Sequence, residues 1–169
     1  MVPNDFNNTD IIGGSGGGIS RHGVYGGRPG GFVILSGENV TIGQGIIMAE
    51  GHSPFNRTAN AGSGSGGSIS IIASNSMSGA GGLLSVKGGD TFNAYDGGAG
   101  GGGRVYLSAA TTDDLSLLTV HTHGGYYVPM GNSTDYSPCI TGGAGTYLLT
   151  ITGSSGYSTL TVSNGHIPT

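Results

Sequence analysis

His121 and His123 stand two apart in "TVHTHGG", and on an extended strand that spacing puts both imidazoles on one face. Two adjacent imidazoles could hold a metal ion. The plainer reading is two exposed polar side chains opposite Val120 and Thr122. Asp90 and Asp96 flank "TFNAY" beside glycine runs, where two carboxylates could ligate calcium. No calcium-binding nonapeptide repeat accompanies them. Asp113 and Asp114 are adjacent in what reads as a turn, which they would cap rather than serve as an acid and base pair. "GGSGG" at 13–17 fits G-x-S-x-G, but in a chain this rich in Gly and Ser the match needs a strand-turn-helix context that is missing. No G-K-[ST] follows a glycine run, so a phosphate-binding loop is excluded. These residues yield no catalytic, cofactor or metal assignment.

Other residues point to surfaces. Asn-x-Ser/Thr acceptors occur at Asn7, Asn39, Asn56 and Asn132, although a chain rich in Asn, Ser and Thr generates them by chance. Asn39, Asn56 and Asn132 fall in expected turns or inserts, where a glycan would fit. Tyr126, Tyr127 and Tyr136 lie in an insert and could stack on sugars; the preferred reading is that they pack the insert onto the body of the protein. Cys139 is the one cysteine, so no internal disulfide forms. It would be a small buried hydrophobe or a bridge to another chain.

Composition limits the function classes. The chain has 169 residues, 38 of them glycine, roughly three times the usual share of about 7%. Charged residues make up 8%, and the net charge is −4. Five Lys and Arg cannot build an electrostatic nucleic-acid surface. No apolar run approaches the roughly 18 residues of a membrane span. "MVPNDFNNTD" lacks the charged start and apolar stretch of a signal peptide, so a secreted reading requires a leader already removed or lying outside this chain. Glycine-rich tracts can be disordered, but here the β-branched residues cluster in "FVIL", "SISIIA", "RVYL" and "TYLLTI". One all-β domain follows.

The clusters repeat. "GGFVILSGENVTIGQGIIMAEG", "GGSISIIASNSMSGAGGLLSVKGG" and "GGRVYLSAATTDDLSLLTVHTHGG" each run Gly pair, strand, polar turn, second strand, glycine. Gly31, Gly67 and Gly103 stand 36 residues apart, and Gly145 follows 42 residues later in "AGTYLLTITGSSGYSTLTVSNG". Two short strands cannot bury a core alone, so stacked units must share one. In-register stacking makes a ladder of Val33, Ile69, Val105 and Tyr147 or Leu148, with Ile71, Leu107, Leu84, Val86 and Leu149 also buried. The second strands carry Leu84 and Val86, Val120 and Thr122, Leu160 and Val162. A β-solenoid or β-helix-like stack is expected over 13–169. The alternative is an antiparallel β-sandwich of hairpins joined at "SGENVTIG" and "SNSMSGAGG".

Glycine runs precede the first strand of every unit: "GGRPGG", "GSGSGG", "GGAGGGG" and "GGAG". Because they keep phase with the repeat, they should be ordered. Polyproline-II-like segments would lie side by side, with amides paired between neighbours.

The pattern "GGSISI", "LLSVKGG", "GGGGRVYL", "GAGTYLL", "LTVSNG" resembles glycine-rich repeat regions of large extracellular and cell-surface proteins. More loosely, it is similar to parallel β-helix adhesins. The resemblance covers residues 13 to 165 and implies secretion with a structural or adhesive role. It carries no catalytic set and no cofactor. The expected function is a structural subunit of an extracellular filament, sheath or coat, a homo-oligomer joined through strand edges or stack ends. The alternative is an adhesin or carbohydrate-binding module. Residues 1–12 fall outside the repeat, and Phe6, Ile11 and Ile12 could dock on a neighbouring subunit.

Overall fold

Each unit alternates two kinds of chain, and each kind forms its own layer. The apolar alternating stretches become strands; the glycine runs between them stay extended and bond sideways. The computed structural model describes residues 13–20, 23–55, 61–92, 97–128, 141–153 and 156–164. Among these there is no helix and nine strands: β1 Phe32–Ile42, β2 Ile46–Met48, β3 Ser68–Gly79, β4 Leu83–Ser85, β5 Arg104–Ala109, β6 Thr111–Asp113, β7 Thr119–His121, β8 Gly145–Ile151 and β9 Tyr157–Ser163. The chain is all-β.

The larger sheet has the order β1-β3-β5-β8-β9, with β6 also on β3. Its pairs are parallel up to β8, and β9 returns antiparallel on β8. The smaller sheet, β2-β4-β7, is parallel throughout. Register follows the repeat: Val33 pairs with Ile69, Ile69 with Val105 and Val105 with Tyr147. Ile47, Leu84 and Val120 form the matching row of the smaller sheet.

The two sheets enclose one apolar core. Ile69, Ile71, Leu84, Val86, Val105 and Leu107 are buried as expected. Val33 and Leu149 are only partly buried against this core, because they belong to the first and last units, which have fewer neighbours. Met77, Ala73 and Ala109 join it.

Three expectations are corrected. "SGENVTIG" and "SNSMSGAGG" are not turns over most of their length: β1 and β3 run on to Ile42 and Gly79. Polar side chains bridge the two strands there. Asn75 Nδ2 and Ser76 Oγ both donate to Asn39 Oδ1, at 2.8 and 2.7 Å. The true turns are short, as at Gly81, whose positive φ of 86° suits glycine. Asp113 ends strand β6 rather than sitting in a turn, whereas Asp114 does cap one, accepting from the Ser116 amide. In the fourth unit, Leu160 and Val162 do not reach the smaller sheet. They lie exposed on β9, beside β8 in the larger sheet. Gly156 N donates to Gly153 O, so β9 returns beside β8 instead of crossing to the smaller sheet.

The glycine runs are ordered, and their hydrogen bonds rotate among three neighbours. Along 62–67, successive amides donate to Gly18, Gly98, His52, Ser15, Gly101 and Ala49 oxygens, at 2.8–3.2 Å. The partner segment recurs every third residue, the period of a three-residue-per-turn extended chain. The run before each strand thus touches other such runs and also the glycines that close the smaller-sheet strands. Gly100 N donates to Gly89 O and Gly103 N to Val86 O. Opening runs therefore do not pair with opening runs alone; the closing runs are interleaved between them.

This layer explains the need for glycine at one recurrent position. A Cβ on Gly30, Gly66 or Gly102 would overlap the carbonyl oxygen of Ala49, Val86 or Thr122, respectively. These three oxygens belong to equivalent residues of successive units. Nothing stands near a Cβ added to the neighbouring Gly101, and the equivalent positions in the preceding units carry Pro29 and Ser65.

Candidate functional site

β1 and β9 are the two edges of the larger sheet. Each has a hydrogen-bonded neighbour on one side only among the described residues, which leaves a row of main-chain donors and acceptors facing outward. Soluble proteins usually guard such edges with Lys, Pro, bulges or inward charges. "YSTLTVS" in β9 has no charge and no proline. β1 has one charge, Glu38, beside the irregularity between Gly37 and Asn39. Ahead of it, "FVILSG" is unguarded. Phe32 (60% exposed) and Ile34 (37%) crown one edge, and Leu160 (62%) and Val162 (64%) the other.

Alternation explains why these side chains are exposed. Ile69, Val105 and Tyr147 point into the core, so Phe32, Ile34, Tyr106 and Leu148 in the intervening rows point outward. Inside the body these outward rows are mostly Ser, Thr or Arg: Ser68, Ser70, Arg104, Thr146. At the two edges they are apolar. Tyr147 itself is half-buried. Burial pushes its phenol above the ordinary value, and the nearby Tyr157 phenol adds to the effect.

The titratable groups gather on the smaller sheet and its closing glycines. Glu50, Lys87 and His123 occupy equivalent positions in three units. Lys87 Nζ lies 4.0 Å from Glu50, and Ser85 Oγ donates to the same carboxylate. His121 and His123 do share a face, with ring centroids 5.7 Å apart, and Tyr126 stacks 5.0 Å from His123. Thr122 between them is buried, as its place opposite the two histidines requires. Asp90 accepts the Tyr126 amide at 2.8 Å, so its carboxylate orders the closing run. Burial raises the Tyr126 phenol, and the Asp90 charge raises it further. Among the described residues no three His, Cys, Asp or Glu side chains converge as metal ligands. Tyr127 pairs with Thr91 in an isolated bridge.

Asn39 is exposed on strand β1, not in a turn. Asn7, Asn56, Asn132, Phe6, Ile11, Ile12, Asp96, Tyr136 and Cys139 lie outside the described residues. One surface went unnoticed in the sequence: an open groove of about 870 Å³ lined by Tyr25, Arg28, Pro29, His52, Ser53 and Phe55. Its aromatics are exposed, but they are separated by some thirty residues of sequence, so only the lateral packing of two glycine runs brings them together. No helix of the described residues is long and apolar enough to cross a membrane. No known protein family matches the chain, and no curated protein and no solved structure is similar to it.

Proposed function

We propose that this chain is a non-catalytic structural subunit of an extracellular filament, sheath or coat, built as a short solenoid that polymerises through its sheet edges. The observation that carries the reading is the pair of open edges, β1 and β9, both crowned with exposed apolar side chains and nearly free of charge. A net charge of −4 gives little repulsion between copies. The parallel registers of units one to three and the rotating glycine hydrogen bonds support a rigid stacked rod of polyproline-II-like runs and strands. Extracellular placement rests on the resemblance and on the acceptor asparagines. Light scattering and negative-stain electron microscopy of the full chain at neutral pH test the proposal. Mass that rises with concentration and uniform polymers are expected; a monomer at every concentration overturns it.

The groove between Tyr25 and Phe55 favours a second reading, a carbohydrate-binding module. Two exposed aromatic rings sharing a groove with Arg28 and His52 suit a sugar ring, which stacks on aromatics and hydrogen-bonds to polar groups. Binding to a glycan panel that is lost on Tyr25→Ala and Phe55→Ala would favour this reading; absence of binding would remove it.

A further inference from the structure

The internal ladders fix how one copy would meet the next. Row by row across the larger sheet, Phe32 aligns with Ser68, Arg104, Thr146 and Val162, and Ile34 with Ser70, Tyr106, Leu148 and Leu160. We propose that β9 of one copy pairs antiparallel with β1 of the next in the register that continues these rows. This inference rests on the structural-subunit reading above. Val162 then faces Phe32 of the next copy, and Leu160 faces Ile34. Four exposed apolar side chains become two cross-strand pairs on the outer face. On the inner face Thr161 faces Val33 and Thr159 faces Leu35, which is itself 40% exposed in the single chain. Tyr157 faces Gly37, where a ring can lie over the bare backbone.

The direction and length also fit. β8 and β1 run the same way, since β1, β3, β5 and β8 pair in parallel along the larger sheet, so β9 is antiparallel to β1 of a copy added by translation. The paired stretch spans Tyr157–Val162 against Phe32–Gly37, and Glu38, the only charge on either strand, falls just beyond it. The junction is heterologous, so it does not close on itself and can repeat indefinitely. A shift by one residue would set Leu160 and Val162 on the opposite face from Phe32 and Ile34.

Two end-blocked chains test the junction. Leu160→Lys with Val162→Lys blocks β9 and leaves β1 open; Phe32→Lys with Ile34→Lys does the converse. Each should be monomeric alone, and an equimolar mixture of the two should give a species of twice the single-chain mass and nothing larger. That dimer also shows that both variants fold. The register is read by disulfide trapping in a Cys139→Ser background. For this, the chain with β9 open carries Leu160→Cys, and the chain with β1 open keeps Phe32→Lys out and carries Ile34→Cys beside its blocked β9. This pair should cross-link, whereas Ser158→Cys with Ile34→Cys should not. If the unmodified chain polymerises but either blocked chain does so too, or the mixture stays monomeric, or the two cysteine pairs cross-link equally, the junction is wrong and the subunit reading survives. If the unmodified chain never polymerises, both fall.

Discussion

Residues 61–67 and 68–79 follow one another directly, yet different forces hold them. From Ser68 onward, side chains do the work: Ile69, Ile71, Ala73 and Met77 are buried between the sheets. Before it, the main chain does the work, with successive amides reaching three different neighbouring runs. The strands tolerate side chains because sheet faces lie about 10 Å apart. The glycine runs come so close that a single methyl has no room at Gly66. Two solutions to the same problem thus share one chain: bury apolar area, or remove the side chains and bond the amides to neighbouring runs. The glycine layer must offset a large ordering entropy without much apolar burial, so it depends on its neighbours being in place.

That contrast predicts a ranking of substitutions. The largest effect is expected at Gly102→Val, which drives side-chain carbon into the Thr122 carbonyl inside the layer. Its cost should exceed about 4 kcal/mol, read as loss of soluble folded protein or of a cooperative melting transition. Next comes Ile71→Ala in the apolar half, where a fully buried side chain is truncated. Denaturant unfolding should show a loss of about 2–5 kcal/mol from transfer and cavity terms together.

A smaller effect concerns pH. Burial raises the Tyr147 phenol in the folded chain, and Tyr157 adds to it. A phenol whose folded pKa lies above its unfolded value of 10.0 keeps its proton longer when folded. Its contribution is complete below the unfolded pKa and is lost as pH rises through the folded one. Stability should therefore fall above pH 10, and Tyr147→Phe should make that fall shallower. Unfolding curves from neutral pH into the alkaline range check this; equal slopes for both proteins would refute it.

The smallest effect is the sharpest test of the contrast. Gly101→Ala sits beside Gly102 but meets open space. It should be neutral, or stabilising by about 0.4–1 kcal/mol through a stiffer unfolded chain. A loss as large as that at Gly102 would mean that the runs need glycine for flexibility rather than for close approach.

The repeat and its register were legible because glycine pairs and β-branched alternation recur at one spacing; Val33, Ile69, Val105 and Tyr147 could be aligned by counting. The lengths of β1 and β3 were not. Asn39, Asn75, Ser76 and Ser78 are turn-forming residues in isolation, and only hydrogen bonds across two units, from Asn75 and Ser76 to Asn39 and from Ser78 to Thr41, make them strand residues. The hairpin of unit four was hidden in the same way, since "TGSSGY" differs little in composition from the crossing turns. Of the candidate edges, β9 could be read as unguarded from "STLTVS", whereas nothing in "FVILSG" distinguishes an edge strand from the internal "SISIIA". The groove at Tyr25 and Phe55 depends on which glycine runs are neighbours, and that order is set by main-chain hydrogen bonds that leave no side-chain signal.

If the glycine runs form a hydrogen-bonded layer as cooperative as the core, residue-resolved amide hydrogen exchange will show it. The amides of Gly64, Gly66, Gly100 and Gly102, each bonded to a carbonyl of another run, should exchange as slowly as those of Ile69 and Ile71. Exchange of these glycine amides at the rate of an unstructured chain, with Ile69 and Ile71 still protected, would rule such a layer out.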